Sequence, residues 1–587
     1  MIININHLIR IEMNIKQLYL AKLGVAAFAV ALGCASCTDT WDDHYKSGAG
    51  VASNETLWEV MQKDPELAPF NKVLTACGYD KILNAQQVYT VWAPKISDSR
   101  ADELINLYNA EKSKNVKDDD NSMINQFVRN HIALFNHQLS SDNDTIKMMN
   151  GKFMVVNSSK FNNNVDIVQN YGVPARNGFM YKLTDEETFF PNIWERLQAD
   201  SIGDNGLDSI SKYFASYNEY YFDADASVPG GVVDGEIVYL DSVTYLYNPL
   251  FISKGEINVE DSSYLFVAPT NKIWREQLEK YGKYFDYNTR NTTMLPKYRE
   301  YQYEYVRSAI INDLFFNMNS PYNQHANDSL CSTAYSVKDT YHGYNYFEKP
   351  FTGNGLLAGL DEPFEASNGY VYKMKDWRIE PSFSFVRPIE IEAENTMRFS
   401  VGTSEDSESA KKTKTATVVR TGNTSKYDVS NEAYLIVDDN NQIASRRQPS
   451  VTFDIPNILS NIPYDIKVVF ATGKAQDINS KDTLNRKVTA QIEMYNTTTS
   501  TDFAKPSNLT TNMIVDGTKM DTLIVSKPEG FTTKVCGYND EVIRVRLILK
   551  SVATTSEINN NKFARRLLID KIILVPRPVL ETDENEN

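Results

Sequence analysis

The sequence predicts a multidomain chain in which two α+β domains in tandem precede an all-β, jelly-roll-like sandwich. Two apolar tetrads closed by proline, Val91-Trp92-Ala93-Pro94 and Phe266-Val267-Ala268-Pro269, stand about one domain length apart in matching contexts and mark an internal repeat. Each repeat then closes on an Asn-Gly pair ahead of an alternating run, Asn177-Gly178-Phe179-Met180-Tyr181-Lys182-Leu183 and Asn368-Gly369-Tyr370-Val371-Tyr372-Lys373-Met374. The glycine in each pair lets the backbone take positive φ just before a strand. Beyond Trp377 helical periodicity gives way to alternating strands such as Val451-Thr452-Phe453-Asp454-Ile455 and Val542-Ile543-Arg544-Val545-Arg546-Leu547-Ile548-Leu549.

Length agrees with several domains, because 587 residues at roughly 100 to 200 per domain give about three to five. The net charge of -16 is spread along the chain, apart from Asp118-Asp119-Asp120 and the tail from Glu581 to Asn587. That distribution argues against nucleic-acid binding, which needs clustered Lys and Arg on the phosphates.

The N-terminal segment reads as a targeting signal and is set apart from the fold. Translation is expected to start at Met13, with residues 1–12 upstream of it. Lys16 and Lys22 then precede the apolar run Leu23 to Leu32, too short to span a bilayer as a mature helix. Small residues around Cys34 and Cys37 follow, and the segment resembles a lipoprotein signal. Ala35-Ser36 before it and Thr38-Asp39-Thr40-Trp41-Asp42-Asp43 after it select Cys37 as the acylated residue, with Cys34 as the alternative. The expected order is a signal region at 1–37, a tether at 38–51, α+β domains at 52–200 and 201–380, the sandwich at 385–578 and an acidic tail at 579–587. The sandwich, with its change of composition and about 190 residues, is expected to fold as an independent unit.

The second repeat's opening, Tyr264-Leu265-Phe266-Val267-Ala268-Pro269-Thr270-Asn271-Lys272-Ile273-Trp274, resembles the first signature of the fasciclin (FAS1) domain, a strand into Ala-Pro and then a capped helix. The first repeat keeps the strand and proline in Tyr89-Thr90-Val91-Trp92-Ala93-Pro94-Lys95. Asn130-His131-Ile132 looks like the family's next segment, Met149-Asn150-Gly151-Lys152 is similar to its hairpin, and the two Asn-Gly runs look like its closing strand. In the second repeat Arg307-Ser308-Ala309-Ile310-Ile311 stands where the Asn-His-Ile segment is expected. The sandwich opens on Ile389-Glu390-Ile391-Glu392-Ala393-Glu394 and closes on Leu567-Leu568-Ile569-Asp570-Lys571-Ile572-Ile573-Leu574, and these resemble the outer strands of galactose-binding-like carbohydrate-binding modules. Such modules often hold a structural calcium between first- and last-strand acids, which implies Glu392, Glu394 and Asp570. The plainer reading places Glu392 and Glu394 on the solvent face of an edge strand, so no cofactor is expected.

Catalytic motifs are missing from the sequence: there is no GxSxG elbow, HExxH helix or Walker loop. Gly353 to Gly359 reads as a tight loop before the last strand of the second repeat. Cys77, Cys331 and Cys536 lack metal-ligand spacing and are expected as unpaired thiols, Cys77 buried. His131 and His137, six apart, are expected at a core edge and at the surface. Aromatic residues cluster at 213–222, 281–287 and 341–347, where they either fill cores or offer contact area for sugars and proteins. Tyr217, Tyr220, Tyr221, Tyr341, Tyr344 and Tyr346 are the binding candidates.

The resemblance implies a non-enzymatic surface lipoprotein of a Gram-negative, Bacteroides-type outer membrane. Its implied task is accessory: binding ligand or protein beside a TonB-dependent transporter and its lid lipoprotein during glycan or peptide uptake. Cell adhesion is the alternative, and a glycan-active hydrolase the competing class.

Overall fold

A computed structural model describes residues 54–578, except 169–171, 200–202, 234–235, 289–292, 336–342, 422–425, 441–447, 498–502 and 540. The expected signal and tether, with Cys34 and Cys37, as well as Tyr341 and the acidic tail, lie outside the described residues. No helix among the described residues is long and apolar enough to cross a membrane. Two compact units result: one extends to Phe189 and takes in Tyr221–Tyr245, the other comprises Phe190–Tyr220 and the chain from Leu246 onward.

In the first unit Tyr89–Pro94 is buried at every position because it is the inner strand of a four-stranded sheet. It pairs antiparallel with Ile132–Leu134 and parallel with Gly178–Leu183, from Tyr89↔Gly178 to Pro94↔Leu183. In the second unit Tyr264–Pro269 pairs antiparallel with Phe315–Asn317 and parallel with Gly369–Met374, from Tyr264↔Gly369 to Pro269↔Met374. Strand order and register are the same in both sheets, so the repeat seen in the sequence is a repeat of structure.

One device sets that register twice. Gly178 and Gly369 have φ of 142° and 140°, and a Cβ at either would stand 1.8 Å from the carbonyl oxygen of Tyr89 or Tyr264. Only glycine lets the closing strand approach its neighbour so closely. The preceding asparagine ties the helical layer to the same point. Asn177 accepts from the Leu57 N–H (2.8 Å) and donates to the Leu83 and Ala85 carbonyls (2.9 and 2.8 Å). Asn368 accepts from the Ile193 N–H (2.9 Å) and donates to the Ile257 and Val259 carbonyls (2.9 and 3.0 Å).

Register also corrects the expected position of one segment. Arg307 to Ile311 ends the helix Leu295–Ile311 and does not reach the sheet. Val91↔Ile132 in the first sheet corresponds to Phe266↔Phe315 in the second, so Asp313-Leu314-Phe315 takes the place of Asn130-His131-Ile132. Asp313 is fully buried there and accepts from Ser332 Oγ (2.8 Å) and Asn345 Nδ2 (2.7 Å). His131 lies deeper than expected, in the core itself. Its Nδ1–H donates to the Phe127 carbonyl (2.8 Å), its Nε2 accepts from the Glu187 N–H (3.0 Å), and burial pulls it down to about 4, so it stays neutral. Cys77, Cys331 and Cys536 are buried, and burial pushes the Cys77 and Cys536 thiols up to about 12.

The C-terminal region is a sandwich of a seven-stranded and a five-stranded sheet. The last strand, Leu567–Pro576, is central to the larger sheet. On one side it pairs with Pro463–Phe470, and on the other with Ala433–Asp439 and the first strand Ile389–Glu392. Contrary to the expected independence, the sandwich shares one apolar core with the second repeat. Phe385 packs on Tyr281, Tyr284 and Phe285, and Tyr538 packs on Phe285 and Tyr305. Tyr287 Oη donates to the Tyr538 carbonyl (2.7 Å), Asn539 Nδ2 to Tyr305 Oη (2.7 Å), and the Cys536 N–H to the Asp286 carbonyl (2.7 Å). The aromatic cluster at 281–287 is thus consumed by this junction.

Asn368→Ala removes an acceptor and a donor at a buried crossing and is expected to cost about 2–4 kcal/mol, read by denaturant unfolding. Gly369→Ala, which drives a methyl into backbone, should be worse and prevent accumulation of folded protein. Equal stability of Gly369→Ala and wild type would refute the role assigned to this glycine.

Candidate ligand-binding face of the sandwich

The tyrosines singled out in the sequence do not assemble into one site. Tyr217 is half-buried and its hydroxyl is engaged by Glu304. Tyr220 and Tyr221 are exposed on the ribbon formed by Glu219–Val233 and Glu236–Tyr247, where Tyr221 stacks on Tyr245. Tyr344 and Tyr346 are exposed on another strand, Tyr344–Glu348.

The acids Glu392, Glu394 and Asp570 do come together, around the turn Ser430-Asn431. Asp570 accepts from the Ser430 N–H (3.0 Å), Glu392 from Ser430 Oγ (2.7 Å) and Glu394 from Asn431 Nδ2 (3.3 Å). Glu392 and Glu394 are half-buried, not solvent-facing, and Oε2 of each is buried without a hydrogen-bond partner. Oxygen donors of this kind suit a hard cation such as calcium. Among the described residues, however, no three acidic, His or Cys side chains form a group able to hold a metal ion, so no binding step is routed through one.

A larger constellation lies on the face of the five-stranded sheet turned away from the shared core, where Ser450, Thr452, Ile548 and Glu493 are themselves buried beneath other parts of the chain. Val451, Phe453 and Ile455 fill the core from Ser450–Ile455, as do Val488, Ala490 and Ile492 from Arg486–Met494 and Val545, Leu547 and Leu549 from Val545–Ser551. Strand alternation turns the intervening residues outward. Register then sets them in rows: Asp454, Arg546 and Glu493; Thr452, Ile548 and Gln491; Ser450, Lys550 and Thr489. Successive rows are about 7 Å apart, two residues along a strand.

Part of this face is internally satisfied. Arg546 Nε donates to Asp454 Oδ1 (2.8 Å), Gln491 Nε2 to Asn508 Oδ1 (2.8 Å) and Thr452 Oγ1 to the Gly402 carbonyl (2.8 Å), and Ser404 Oγ donates to Glu493 Oε1. The rest is not. Glu493 Oε2, Gln491 Oε1 and Thr403 Oγ1 are buried with no hydrogen-bond partner, and Glu493 is only 1% exposed. Buried polar atoms are ordinarily paired, and each one left unmade costs about 1–3 kcal/mol, so their grouping here makes this face a candidate site for a polar ligand. Phe503 lies over Arg546, its ring centre 3.9 Å from the guanidinium carbon, and Tyr495 lies edge-on to Phe503 at 6.2 Å. Hydroxyl acceptors beside aromatic rings suit a sugar, whose hydroxyls donate while its apolar faces stack.

Sequence reasoning missed this face: of the two strands that carry most of it, the run Val542 to Leu549 was read as a strand and Arg486–Met494 was not. Lys487, Thr489, Gln491 and Glu493 alternate with core residues in one, and Arg544, Arg546, Ile548 and Lys550 in the other. What the sequence lacked was the pairing that sets these strands side by side.

No protein-family model matches the chain, and no curated protein matches it. Among solved structures, a FAS1 domain pair from the insect cell adhesion molecule Fasciclin I is similar at 11% identity over 52% of this chain and 95% of that one, with a TM-score of 0.16. A family 11 carbohydrate-binding module from Clostridium thermocellum, in complex with a mixed-linked tetrasaccharide, is similar at 7% identity over 32% of this chain and 96% of that one, with a TM-score of 0.18. The CBM22 and GH10 modules of a Clostridium thermocellum xylanase, complexed with xylohexaose, match at 10% identity over 33% of this chain and 28% of that one, with a TM-score of 0.21. Overlaps this loose fix neither family nor ligand.

The acid cluster generates a pH prediction. Burial, with the charges of Glu392 and Glu394 adding to it, pushes the Asp570 carboxyl up to about 7, against the Ser430 N–H that favours its ionised form. The folded chain therefore binds a proton that the unfolded chain, near 3.9, releases. This group's stabilising contribution is fully present below about 4 and is lost as pH rises to about 7. The difference in melting temperature between wild type and Asp570→Asn should shift in favour of the variant as pH is raised from 5 to 8. A difference that does not change with pH would refute the assignment.

Proposed function

We propose that this chain is a non-catalytic surface protein whose sandwich binds a glycan on the outer face of its five-stranded sheet. The observation that carries the reading is the set of buried, unpartnered polar atoms on Gln491, Glu493 and Thr403, next to the rings of Tyr495 and Phe503. Glycoside hydrolysis needs two acting carboxyl groups, and on this face Asp454 is engaged by Arg546 while Glu493 retains an unpartnered oxygen. Binding without turnover is the reading this supports.

Lipidation at Cys37, placement at the outer-membrane surface and service beside a TonB-dependent transporter and its lid rest on the sequence resemblance, and belong to the same proposal. A second reading, adhesion or protein docking, is favoured by the ribbon with exposed Tyr220, Tyr221, Phe222, Ile237, Val238 and Tyr245. Clustered exposed apolar residues of this kind mark partner surfaces.

Titration of the full chain against a panel of soluble oligosaccharides is expected to give binding without hydrolysis. Gln491→Ala with Glu493→Gln should weaken it about tenfold or more, since each lost hydrogen bond to a sugar is worth about 1 kcal/mol. Release of reducing ends by the purified protein would overturn the non-catalytic reading. Cys37→Ala should move the protein from the membrane fraction to the soluble fraction; retention with Cys34 intact would place the anchor at Cys34.

A further inference from the structure

Arg544 stands one residue before the strand Val545–Ser551, at the end of the polar face where the Tyr495 N–H donates to its carbonyl (2.8 Å). Alternation puts its side chain on the same side as Arg546. The residue is 2% exposed, and its guanidinium lies between two rings, with the carbon 3.7 Å from the centre of Tyr495 and 4.7 Å from that of Tyr298. Tyr298 comes from the helix Leu295–Ile311 of the second repeat, so this position is completed by the junction described above.

Its hydrogen bonding is anomalous for a buried arginine. Arg129, Arg486 and Arg565 are equally buried, at 3%, 1% and 3% exposed. Arg129 donates to Tyr79, Asn125 and Asp119, Arg486 to Asp482 and the Leu484 and Arg566 carbonyls, and Arg565 to the Ala553 carbonyl and Thr555. Nε and Nη2 of Arg544 have no hydrogen-bond partner. These two N–H groups share one edge of the planar guanidinium and point in parallel within its plane, which is the geometry that takes both oxygens of a carboxylate or two oxygens of a sulfate. With the two rings over its faces, the cation is open to a partner only along its edges. A permanently charged group in this position is costly until an anion meets it.

We propose that Arg544 anchors an anionic group of the bound glycan, a uronate carboxylate or a sulfate ester, through its Nε and Nη2 edge. The inference rests on the reading that this face binds glycan, and it narrows the ligand to an acidic one. Arg544 lies about 20 Å along the strand from Lys550, so the acid is held at one end while Gln491 and Glu493 accept hydroxyls further along. Both covering rings are half-buried surface side chains, which leaves a route to the edge by displacement of side chains without opening the core.

The test is calorimetric titration of the full chain with tetragalacturonate, a sulfated galactan tetrasaccharide without uronate, and neutral xylotetraose, for wild type, Arg544→Met and Arg544→Lys. One acidic probe is expected to bind at least about tenfold more tightly than the neutral one, and which acid wins separates carboxylate from sulfate. Arg544→Met should abolish that preference, and Arg544→Lys, which keeps the charge but loses the paired edge, should recover only part of it. The melting temperature of unliganded Arg544→Met should stay at or above that of wild type, because an unpaired buried charge has been removed; a large fall would make Arg544 a structural link between the two tyrosines and overturn the proposal. Acidic and neutral probes bound alike, and unaffected by Arg544→Met, would overturn it while leaving the glycan face standing. Binding of none of the probes by wild type, with no glycan bound in the wider panel either, would remove the face reading and the anchor with it.

Discussion

Everything in the tandem repeats hangs on the place where the closing strand meets the inner strand under an Asn-Gly pair. At Gly178 and Gly369 the backbone comes so near Tyr89 and Tyr264 that no Cβ fits, and the asparagine just before it bonds three backbone groups of the helical layer. A one-residue slip in a sheet exchanges its buried and exposed faces. Holding one residue of the closing strand therefore sets which side chains of Tyr89–Pro94 and Tyr264–Pro269 meet the helices.

The two repeats diverge in how they fill one buried position. The first keeps the neutral His131 between the Phe127 carbonyl and the Glu187 N–H, whereas the second places Leu314 there and moves the polar duty to Asp313, served by Ser332 and Asn345. Burial raises the Asp313 carboxyl, and its hydrogen-bond donors pull against that. His131 thus ties two backbone groups together, whereas Asp313 gathers side-chain donors.

The second repeat also acts as a platform. Its aromatic residues Tyr281, Tyr284, Phe285 and Tyr287 run into the core of the sandwich, and the neighbouring helix carries Tyr298 and Tyr305 to the same seam. One consequence is mechanical, because two folds that share a core unfold together. Another is chemical, because Tyr298 arrives over Arg544 only when the seam is closed. A polar sheet face and a helix of a different fold thus contribute to one constellation.

Much of the architecture was legible in the residues. The proline-closed tetrads, the Asn-Gly pairs and the alternating strands after Trp377 each obey a local rule of geometry, and local rules can be read along a chain. Position in the second repeat was misread at Arg307 to Ile311, because a helix end and a short buried strand are both apolar and only pairing tells them apart. The aromatic clusters were ambiguous for a similar reason: composition marks a cluster but not whether it ends in a core, as at 281–287, or in water, as at Tyr220 and Tyr221. The polar face of the five-stranded sheet was out of reach, since Gln491, Glu493, Arg544 and Arg546 become neighbours through the register of strands some fifty residues apart, and an unpartnered atom is defined by everything packed around it. The sequence by itself determined the repeat, the strand faces and the change of fold after Trp377, because these follow from periodicity and backbone sterics; the tertiary structure alone decided which polar groups are left unpaired, because that depends on distances between segments remote in the chain.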